Sequence, residues 1–317
     1  MDNRLIIMAG VKVFAPATVS NVCCGFDILG YPIHGPGDEV VATLTDKPGI
    51  HITKITGDKG KLPRKTMKNT AGVAAMALLK HLGETDVGIN MEIRKKMPFG
   101  SGMGSSAASA VAGVVAVNHL LGNPLTKWDL LPFASAGEQI ASGGSIHLDN
   151  VAPCLLGGMT LNRDNDTFDV HRLYTVNGLY TTLIYPHVEV LTADARNMLS
   201  PNVSLKQMTQ QAANLGGLII GLSKGDLNLI RRSLQDVIIE PQRAGLISGF
   251  YDVQAAAMDA GVLGCSISGS GPSIFALSKN SLIAEDAAKA MQAVFTRQRI
   301  ESDVYISPIN MDGAVVC

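Results

Sequence analysis

The residues with the clearest chemical potential lie in a glycine- and serine-rich stretch at positions 100–106, which reads GSGMGSS. An alternating apolar segment at 87–93 precedes it and predicts a strand, whereas an Ala- and Val-rich segment at 107–121 follows it and predicts a buried helix. Glycine lets the backbone bend sharply and approach a ligand closely. Because a helix start presents free N–H groups and partial positive charge, the stretch favours phosphate binding.

Ser105 and Ser106, at the predicted helix start, can cap the helix, contact a phosphate oxygen or ligate a metal ion. Two other nucleotide-binding loops fit less well. A Walker A loop ends in Gly-Lys-Ser/Thr, but Gly104 is followed by serine. Gly102-x-Gly104-x-x-Ala107 matches the dinucleotide pattern, yet the preceding strand alternates, whereas a Rossmann strand is an apolar run. A tight turn with a serine N-cap is the purely structural alternative.

Residues 98–108 resemble the ATP-binding signature of the GHMP small-molecule kinases, with Met103 where that family usually has leucine. The resemblance implies that these residues form a loop that wraps the phosphates of ATP, called the phosphate loop below. A third glycine-rich motif at 261–277 also resembles the family, and the resemblance implies that it packs against the phosphate loop. A plain hairpin between two strands is the alternative. The implied ATP-binding residues are Pro98, Gly100, Ser101, Gly102, Met103, Gly104, Ser105, Ser106, Ala107 and Ser270.

Glu138 is the one acidic residue in an apolar segment that predicts a helix. The GHMP kinases place a Mg²⁺-binding glutamate on the helix after the phosphate loop. The resemblance therefore implies a metal site at Glu138 and a loop serine, Ser105 or Ser106. Oxygen ligands suit Mg²⁺, which completes its shell with phosphate and water. A solvated carboxylate on a helix face is the alternative.

Four further segments resemble the homoserine kinases within this family: 21–30, 147–157, 192–201 and 236–243. The resemblance implies no dedicated general base; Asn150 would orient the substrate hydroxyl. The implied substrate-binding residues are Asn21, Asp27, His147, Arg196 and Arg243. The implied catalytic residues are Asn150, Thr192 and Arg196.

The residue types in these segments suit an α-amino acid. Arg196 and Arg243 can clamp a carboxylate through bidentate hydrogen bonds, and an anionic Asp27 fits an ammonium group. Asn21 and Asp27 could instead form Asx turns. The two arginines could instead be solvated surface charges.

The resemblance implies transfer of the ATP γ-phosphoryl group to the side-chain hydroxyl of L-homoserine, a step in threonine synthesis. It also implies an α/β (α+β) fold with two domains and ATP in the cleft between them. The N-terminal, ribosomal-S5-domain-2-like domain would span residues 1–165, and the C-terminal ferredoxin-like domain residues 166–317. Alternatives are a GHMP kinase for a sugar or isoprenoid alcohol, lacking the amino-acid clamp, and a non-catalytic ATP-binding regulator.

Composition limits the function classes. The 317 residues favour two domains, and a net charge of −1 gives no basic patch for nucleic acid. Five cysteines without a C-x-x-C pattern argue against a disulfide framework or a zinc site. The N-terminal eight residues predict a strand rather than a signal peptide, and no apolar stretch approaches the ~20 residues of a membrane span. We expect a cytoplasmic protein and, from its apolar content and the resemblance, a homodimer.

Local patterns predict the elements around the motifs. We expect a strand over residues 11–20 that leaves its sheet at Pro16, and a solvated turn at Asp38 and Glu39. Residues 70–82 predict a helix that ends at Gly83. Residues 124–141 predict a helix pair, and residues 205–222 a helix buried between domains or at an interface.

Overall fold

The computed structural model describes residues 10–141, 143–144 and 146–317; the strand predicted for the first eight residues lies outside this part. The strands are β1 (Gly10–Ser20), β2 (Leu29–Thr45), β3 (Gly49–Thr56), β4 (Gly88–Arg94), β5 (Thr160–Asp164), β6 (Asp169–Arg172), β7 (Tyr180–Pro186), β8 (Gly264–Ile267), β9 (Ile274–Ser278), β10 (Ser302–Pro308) and β11 (Val315–Val316). The helices are α1 (Thr70–Leu82), α2 (Ser105–Leu120), α3 (Leu131–Ala141), α4 (Leu148–Leu156), α5 (Thr192–Asn197), α6 (Leu205–Lys224), α7 (Leu227–Ser233), α8 (Glu240–Arg243), α9 (Phe250–Asp259) and α10 (Ser281–Arg297).

The larger sheet has its main strands in the order β11-β1-β2-β4-β3, and β5 joins β2 and β6 at one end. Its pairs are antiparallel except β3 with β4. Helices α2 and α4 pack against β1 and β2, and α1 and α3 pack against α2. Almost every residue of α2 is buried, as expected for a helix that is apolar on all sides. This burial fixes the start of α2, and with it the end of the glycine-rich stretch.

The predicted helix over residues 70–82 is confirmed. Asn69 caps its start, because its Oδ1 accepts the N–H groups of Ala71 and Gly72 at 3.1 and 3.4 Å. Gly83 ends it in the left-handed region at φ +74°, which glycine adopts without steric cost.

Two local predictions in the larger sheet are wrong. Strand β1 continues past Pro16 to Ser20, and the proline lies where the pairing register shifts. Asp38 and Glu39 lie within β2 rather than in a solvated turn, and Asp38 has no exposed surface. The tertiary contacts of Asp38, which local sequence does not reveal, stabilise this buried charge.

The helix pair predicted for residues 124–141 needs correction, because only Leu131–Ala141 forms an α-helix. The helix predicted from residue 205 is confirmed as α6. Most of its first half is exposed in the single chain, with Leu205 at 77 %, so this half is not buried between the two units, and its place at an interface stays a prediction. The buried side chains of α6 lie mainly in the second half, against α7.

The smaller sheet has the antiparallel order β10-β7-β9-β8. Numbered along the chain, this is the order 4-1-3-2. Helix α9 packs against β8, and α10 packs against β7, β9, β10 and α9. This βαββαβ arrangement confirms the ferredoxin-like unit.

The two sheets are joined by side-chain and backbone contacts. The Thr181 hydroxyl on β7 donates to the Tyr31 hydroxyl on β2 at 2.8 Å. The Tyr31 ring packs edge-on against Phe275 on β9, with centroids 6.3 Å apart. The last strand, β11, returns to pair with β1.

The predicted division after residue 165 falls in the turn between β5 and β6, which form a hairpin of the larger sheet. Strand β7 is the first strand of the smaller sheet. We therefore propose that the division lies between β6 and β7. Among the helices of the described residues, none is long and apolar enough to cross a membrane.

Candidate active site

The glycine-rich stretch forms a loop between β4 and α2. Gly100, Gly102 and Gly104 all adopt left-handed backbone conformations, with φ from +60° to +73°. The first intrahelical bond of α2 runs from the Ala108 N–H to the Gly104 carbonyl at 2.9 Å. The N–H groups of residues 105–107 therefore have no intrahelical acceptor and remain suited to an anion. Gly104, not a serine, is the N-cap residue.

Gly104 lets the loop approach α4, the helix that carries Asn150. A Cβ at this position would lie 2.1 Å from the Thr18 hydroxyl oxygen and 2.7 Å from Asn150 Oδ1. The same hydroxyl donates to Asn150 Oδ1 at 2.7 Å. This bond orients the Asn150 amide and brings the start of α4 next to the phosphate loop.

The third glycine-rich motif packs against the phosphate loop, as predicted. The Ser268 hydroxyl donates to the Gly102 carbonyl at 2.7 Å, and the Ser273 N–H donates to the Ser101 carbonyl at 3.2 Å. A Cβ on Gly102 would lie 2.4 Å from the Ser268 carbonyl oxygen. The loop therefore depends on both structural units.

Glu138 on α3 faces the start of α2. Its Oε1 accepts a hydrogen bond from the Ser106 hydroxyl at 2.8 Å. The carboxyl is buried rather than solvated, and burial raises its pKa to about 7, against the opposing effects of the Ser106 bond and the Lys95 charge. Ser105 instead donates to Asp38 at 2.9 Å. Ser106 and Glu138 thus form an all-oxygen pair beside the phosphate loop.

Asp27 and the two predicted arginines lie together at the other end of the site. Arg196 contacts both carboxylate oxygens of Asp27, at 2.9 and 3.1 Å. Arg243 is 4 % exposed and donates to the carbonyls of Ala195 and Gly269 at 3.0 and 3.1 Å. Burial lowers the pKa of Arg243, and the charge of Asp27 opposes that shift. One arginine is therefore fixed by the backbone, whereas the other is held by a carboxylate.

Phe26 supports both arginines. Its ring centroid lies 5.5 Å from the Arg196 guanidinium carbon and 5.1 Å from that of Arg243. The face of an aromatic ring attracts a cation at such distances. Phe26 and Asp27 together offset the repulsion between the two guanidinium groups.

Asn21 orders the segment that carries Asp27. Its Oδ1 accepts the Asp27 N–H at 3.0 Å, and its Nδ2 donates to the Gly269 carbonyl at 2.8 Å. Residues 21–23 and Asp27 have positive φ values, and the β-branched Val22 is among them. Such strain persists only where surrounding contacts hold it, and it is frequent at functional sites.

The predicted residues converge on one cavity of about 240 Å³. Two of them are exceptions: Ala107 is buried and outside the lining, and the side chain of Thr192 lies outside the described part of the chain. The predicted residues that line the cavity are Asn21, Asp27, Pro98, Gly100, Ser101, Gly102, Met103, Gly104, Ser105, Ser106, Glu138, His147, Asn150, Arg196, Arg243 and Ser270. The phosphate loop and the charged cluster of Asp27 thus share one space.

Comparison with known proteins adds independent evidence. The pattern described as the GHMP kinases N terminal domain matches residues 69–158, and that described as GHMP kinases C terminal matches residues 218–297. Homoserine kinase of Chlorobium phaeobacteroides (strain BS1) is 47 % identical, over 98 % of this chain and 100 % of its own. The chain belongs to the homoserine kinase family of the GHMP kinases.

Two further relatives agree with that assignment. Homoserine kinase of Chloroherpeton thalassium is 47 % identical, over 97 % of this chain and 99 % of its own. The crystal structure of homoserine kinase from Cytophaga hutchinsonii is 54 % identical, with a TM-score of 0.96 over 98 % of both chains. The GHMP kinase fold predicted from the motifs is therefore confirmed.

Asp149 lines the cavity but was not among the predicted site residues. Burial raises its pKa to about 7, and the charge of Asp27 adds to the shift. Within the described residues, its Oδ1 has no hydrogen-bond partner. The neighbouring His147 has a pKa lowered by burial, which favours the neutral imidazole. The dense polar cluster at 147–150 was the sequence signal that could have identified Asp149.

Asp38 and Lys95 are also missing from the prediction. Lys95 lines the cavity beside the phosphate loop, and Asp38 lies directly behind the loop as its partner. An acidic residue in a strand 57 positions upstream gives no local signal for this contact.

Proposed function

We propose that this chain transfers the γ-phosphoryl group of ATP to the side-chain hydroxyl of L-homoserine, giving O-phospho-L-homoserine for threonine biosynthesis. The observation that carries the proposal is the shared cavity. The phosphate loop forms one end, and Asp27, Arg196 and Arg243 form the other. Such a site accelerates the reaction mainly by positioning and by stabilising developing charge.

The charged end of the cavity suits the main-chain groups of an α-amino acid. Arg243 would bind the carboxylate, because its backbone bonds hold the guanidinium in a fixed orientation. Asp27 would bind the ammonium group, and Arg196 would share its charge between Asp27 and the carboxylate. A sugar or isoprenoid alcohol lacks the zwitterionic pair that this cluster matches.

The reacting hydroxyl would lie near Asn150, which contacts the phosphate loop. Its Oδ1 accepts the Thr18 hydroxyl, and its Nδ2 would donate to the oxygen of the substrate hydroxyl. Asp149 directly precedes Asn150 in the chain, and its carboxyl group lines the same cavity. With a pKa of about 7, it can take up a proton near neutral pH. Thr192 retains its predicted catalytic role as a proposal.

The oxygen atoms beside the phosphate loop are suitable ligands for Mg²⁺. The Ser106 hydroxyl and the Glu138 carboxylate, which contact each other, would hold the ion. Ser105, which donates to Asp38, is the alternative serine ligand. These are oxygen ligands, which Mg²⁺ prefers, and phosphate and water would complete its shell. Bound Mg²⁺ would neutralise charge on the phosphate oxygens. Glu138 must be ionised for this role, so the metal would shift its proton equilibrium.

A substrate panel tests the proposal. ADP release is measured with Mg-ATP and L-homoserine, L-serine, L-threonine, mevalonate or galactose. We expect turnover with L-homoserine alone. Turnover with mevalonate or galactose would retain the phosphate loop but refute the amino-acid clamp. ATP binding without any turnover would favour a regulatory role.

The homodimer and the cytoplasmic location are also proposals. The exposed apolar side chains at the start of α6, Leu205 and Met208, support an interface there. Sedimentation analysis of the purified protein would test the dimer, and a monomer at micromolar concentration would contradict it.

A further inference from the structure

The carboxylate of Asp38 lies behind the phosphate loop and contacts both of its ends. At the entry end, its Oδ1 accepts the N–H groups of Lys96 and Met97 at 2.8 and 3.2 Å. At the exit end, its Oδ2 accepts the Ser105 hydroxyl at 2.9 Å. The same oxygen pairs with the ammonium group of Lys95, the residue that directly follows β4. Asp38 itself has no exposed surface.

The ammonium group of Lys95 makes a second link between the same ends. Besides Asp38, it donates to the Ser105 carbonyl at 2.8 Å and to the Ser109 hydroxyl at 2.7 Å. These three acceptors use all three N–H donors of a lysine. The Phe99 ring covers the group from the loop side, with its centroid 5.9 Å away.

We infer that Asp38 and Lys95 are positioning residues, which fix the two ends of the phosphate loop so that the start of α2 faces the phosphates of ATP. The inference rests on the proposed function, because it assumes that this loop binds ATP. Neither residue needs to touch the nucleotide. Asp38 is behind the loop, and Lys95 could donate to a phosphate only by giving up one of its three present acceptors.

The contacts of Lys95 fit a buried ion pair with no net charge better than they fit a lysine that binds phosphate. A lysine that serves as a ligand would leave at least one donor free toward the cavity. Here the start of α2 instead faces the cavity through Ser105 and Ser106, and the position of that start depends on Ser105. Asp38 and Lys95 both bind Ser105, through its hydroxyl and its carbonyl respectively.

The test removes the pair as a unit. Either single substitution leaves a buried charge without its partner and destabilises the fold. Asp38→Asn with Lys95→Met removes both charges and preserves the side-chain volumes. Calorimetric titration with ATP then measures the dissociation constant directly, thermal unfolding reports the stability, and steady-state kinetics give the KM for L-homoserine.

We expect the double variant to remain folded and to bind ATP about tenfold more weakly, which corresponds to ~1.4 kcal/mol. The KM for L-homoserine, measured at saturating ATP, should change less than about twofold. Asp38→Ala with Lys95→Met also removes the entry-end bonds and should weaken ATP binding further. Thr182→Val is the matched control, because it removes a buried hydroxyl bond to the Ala284 carbonyl within the smaller unit, outside the cavity lining, and should leave ATP binding unchanged.

A folded double variant that binds ATP as tightly as the wild type would overturn the inference. So would an equal rise in both substrate constants, because that result indicates a general loss of structure. If the wild type itself bound no ATP, the proposed function would fail instead. The two failures are therefore distinguishable.

Discussion

At the scale of single residues, the two arginines of the site differ in what holds them. Arg243 is buried and bound to two backbone carbonyls, so its orientation is independent of any carboxylate. Arg196 is partly exposed and paired with Asp27. An incoming amino acid therefore meets one rigid cation and one that already shares its charge.

The first prediction follows from the rigid position of Arg243. Arg243→Ala should raise the KM for L-homoserine about 100-fold, because truncation removes a desolvated charge from a carboxylate site. The KM for ATP should change little. Initial rates over both substrate concentrations measure the two constants, and Arg163→Ala, which removes an exposed arginine of the β5–β6 hairpin, is the control. Equal rises in both constants would refute the carboxylate role.

The second prediction concerns the buried carboxyl of Asp149. Burial raises its pKa from the usual value of 3.8 to about 7, so between these pH values the folded state holds a proton that the unfolded chain releases. The protonated Asp149 carboxyl therefore contributes fully to the free energy of unfolding below about pH 4, and this contribution is lost as the pH rises to about 7. Asp149→Asn does not titrate and should escape this loss.

Unfolding by urea at several pH values measures the effect. The stability of Asp149→Asn relative to wild type should increase by an amount on the order of 4 kcal/mol between pH 4 and pH 8. A difference that stays constant with pH would show that Asp149 titrates normally in the folded protein.

At the scale of elements, the site depends on the approach of helices α2 and α3. Helix α2 supplies Ser106, and α3 supplies Glu138, one hydrogen bond away. The approach is close because small residues lie between the helices. A Cβ on Gly137 of α3 would lie 3.0 Å from the Ala110 Cβ of α2.

The third prediction tests this pair. Glu138→Gln should raise the Mg²⁺ concentration required for half-maximal turnover about tenfold or more, because an amide is a weaker ligand than a carboxylate. Turnover is measured in a Mg²⁺ titration at fixed ATP. Glu240→Gln is the control, because Glu240 is a largely buried carboxyl bonded to Ser266 and Gln254, outside the cavity lining. An unchanged titration for Glu138→Gln would exclude it as a ligand.

At the scale of the whole molecule, the phosphate loop lies where the two units meet. Backbone and side-chain bonds join residues 101–102 to residues 268–273 of the smaller unit. The Asn21 amide extends this junction to Gly269. ATP binding and the packing of the two units are therefore linked.

The fourth prediction uses two glycines with the same backbone conformation. Gly102 has φ +73° and Gly60 has φ +72°. A Cβ on Gly102 would collide with the Ser268 carbonyl, whereas a Cβ on Gly60 would meet no atom within 4 Å. Gly102→Ala should therefore destabilise the protein by about 2 kcal/mol more than Gly60→Ala, and it should also weaken ATP binding.

Thermal unfolding and nucleotide titration of the two variants provide the comparison. Because the backbone strain is matched, any difference measures the contact between the units. Similar stability and similar ATP affinity in the two variants would show that this contact contributes little.

The sequence alone determined the features that depend on local spacing. Three alternating glycines followed by two serines predicted the phosphate loop, whereas the ferredoxin-like unit was implied by the family resemblance and its βαββαβ order came from the structure. The helix at 70–82 follows from its apolar stripe and from the glycine that ends it, whereas its N-cap, Asn69, was identified only in the structure. Residues 196 and 243 could be assigned from the family motifs around them.

Only the tertiary structure decided which charges become partners, because such contacts join residues far apart in the chain. Asp38 is indistinguishable from a turn residue in the sequence, but folding pairs it with Lys95, 57 positions away, behind the phosphate loop. Asp149 acquires its raised pKa through burial, which depends on the packing of α4. Arg196 and Asp27 meet across 169 positions. Local patterns fix backbone conformation, whereas desolvation and charge pairing arise only when the two units close around the cavity.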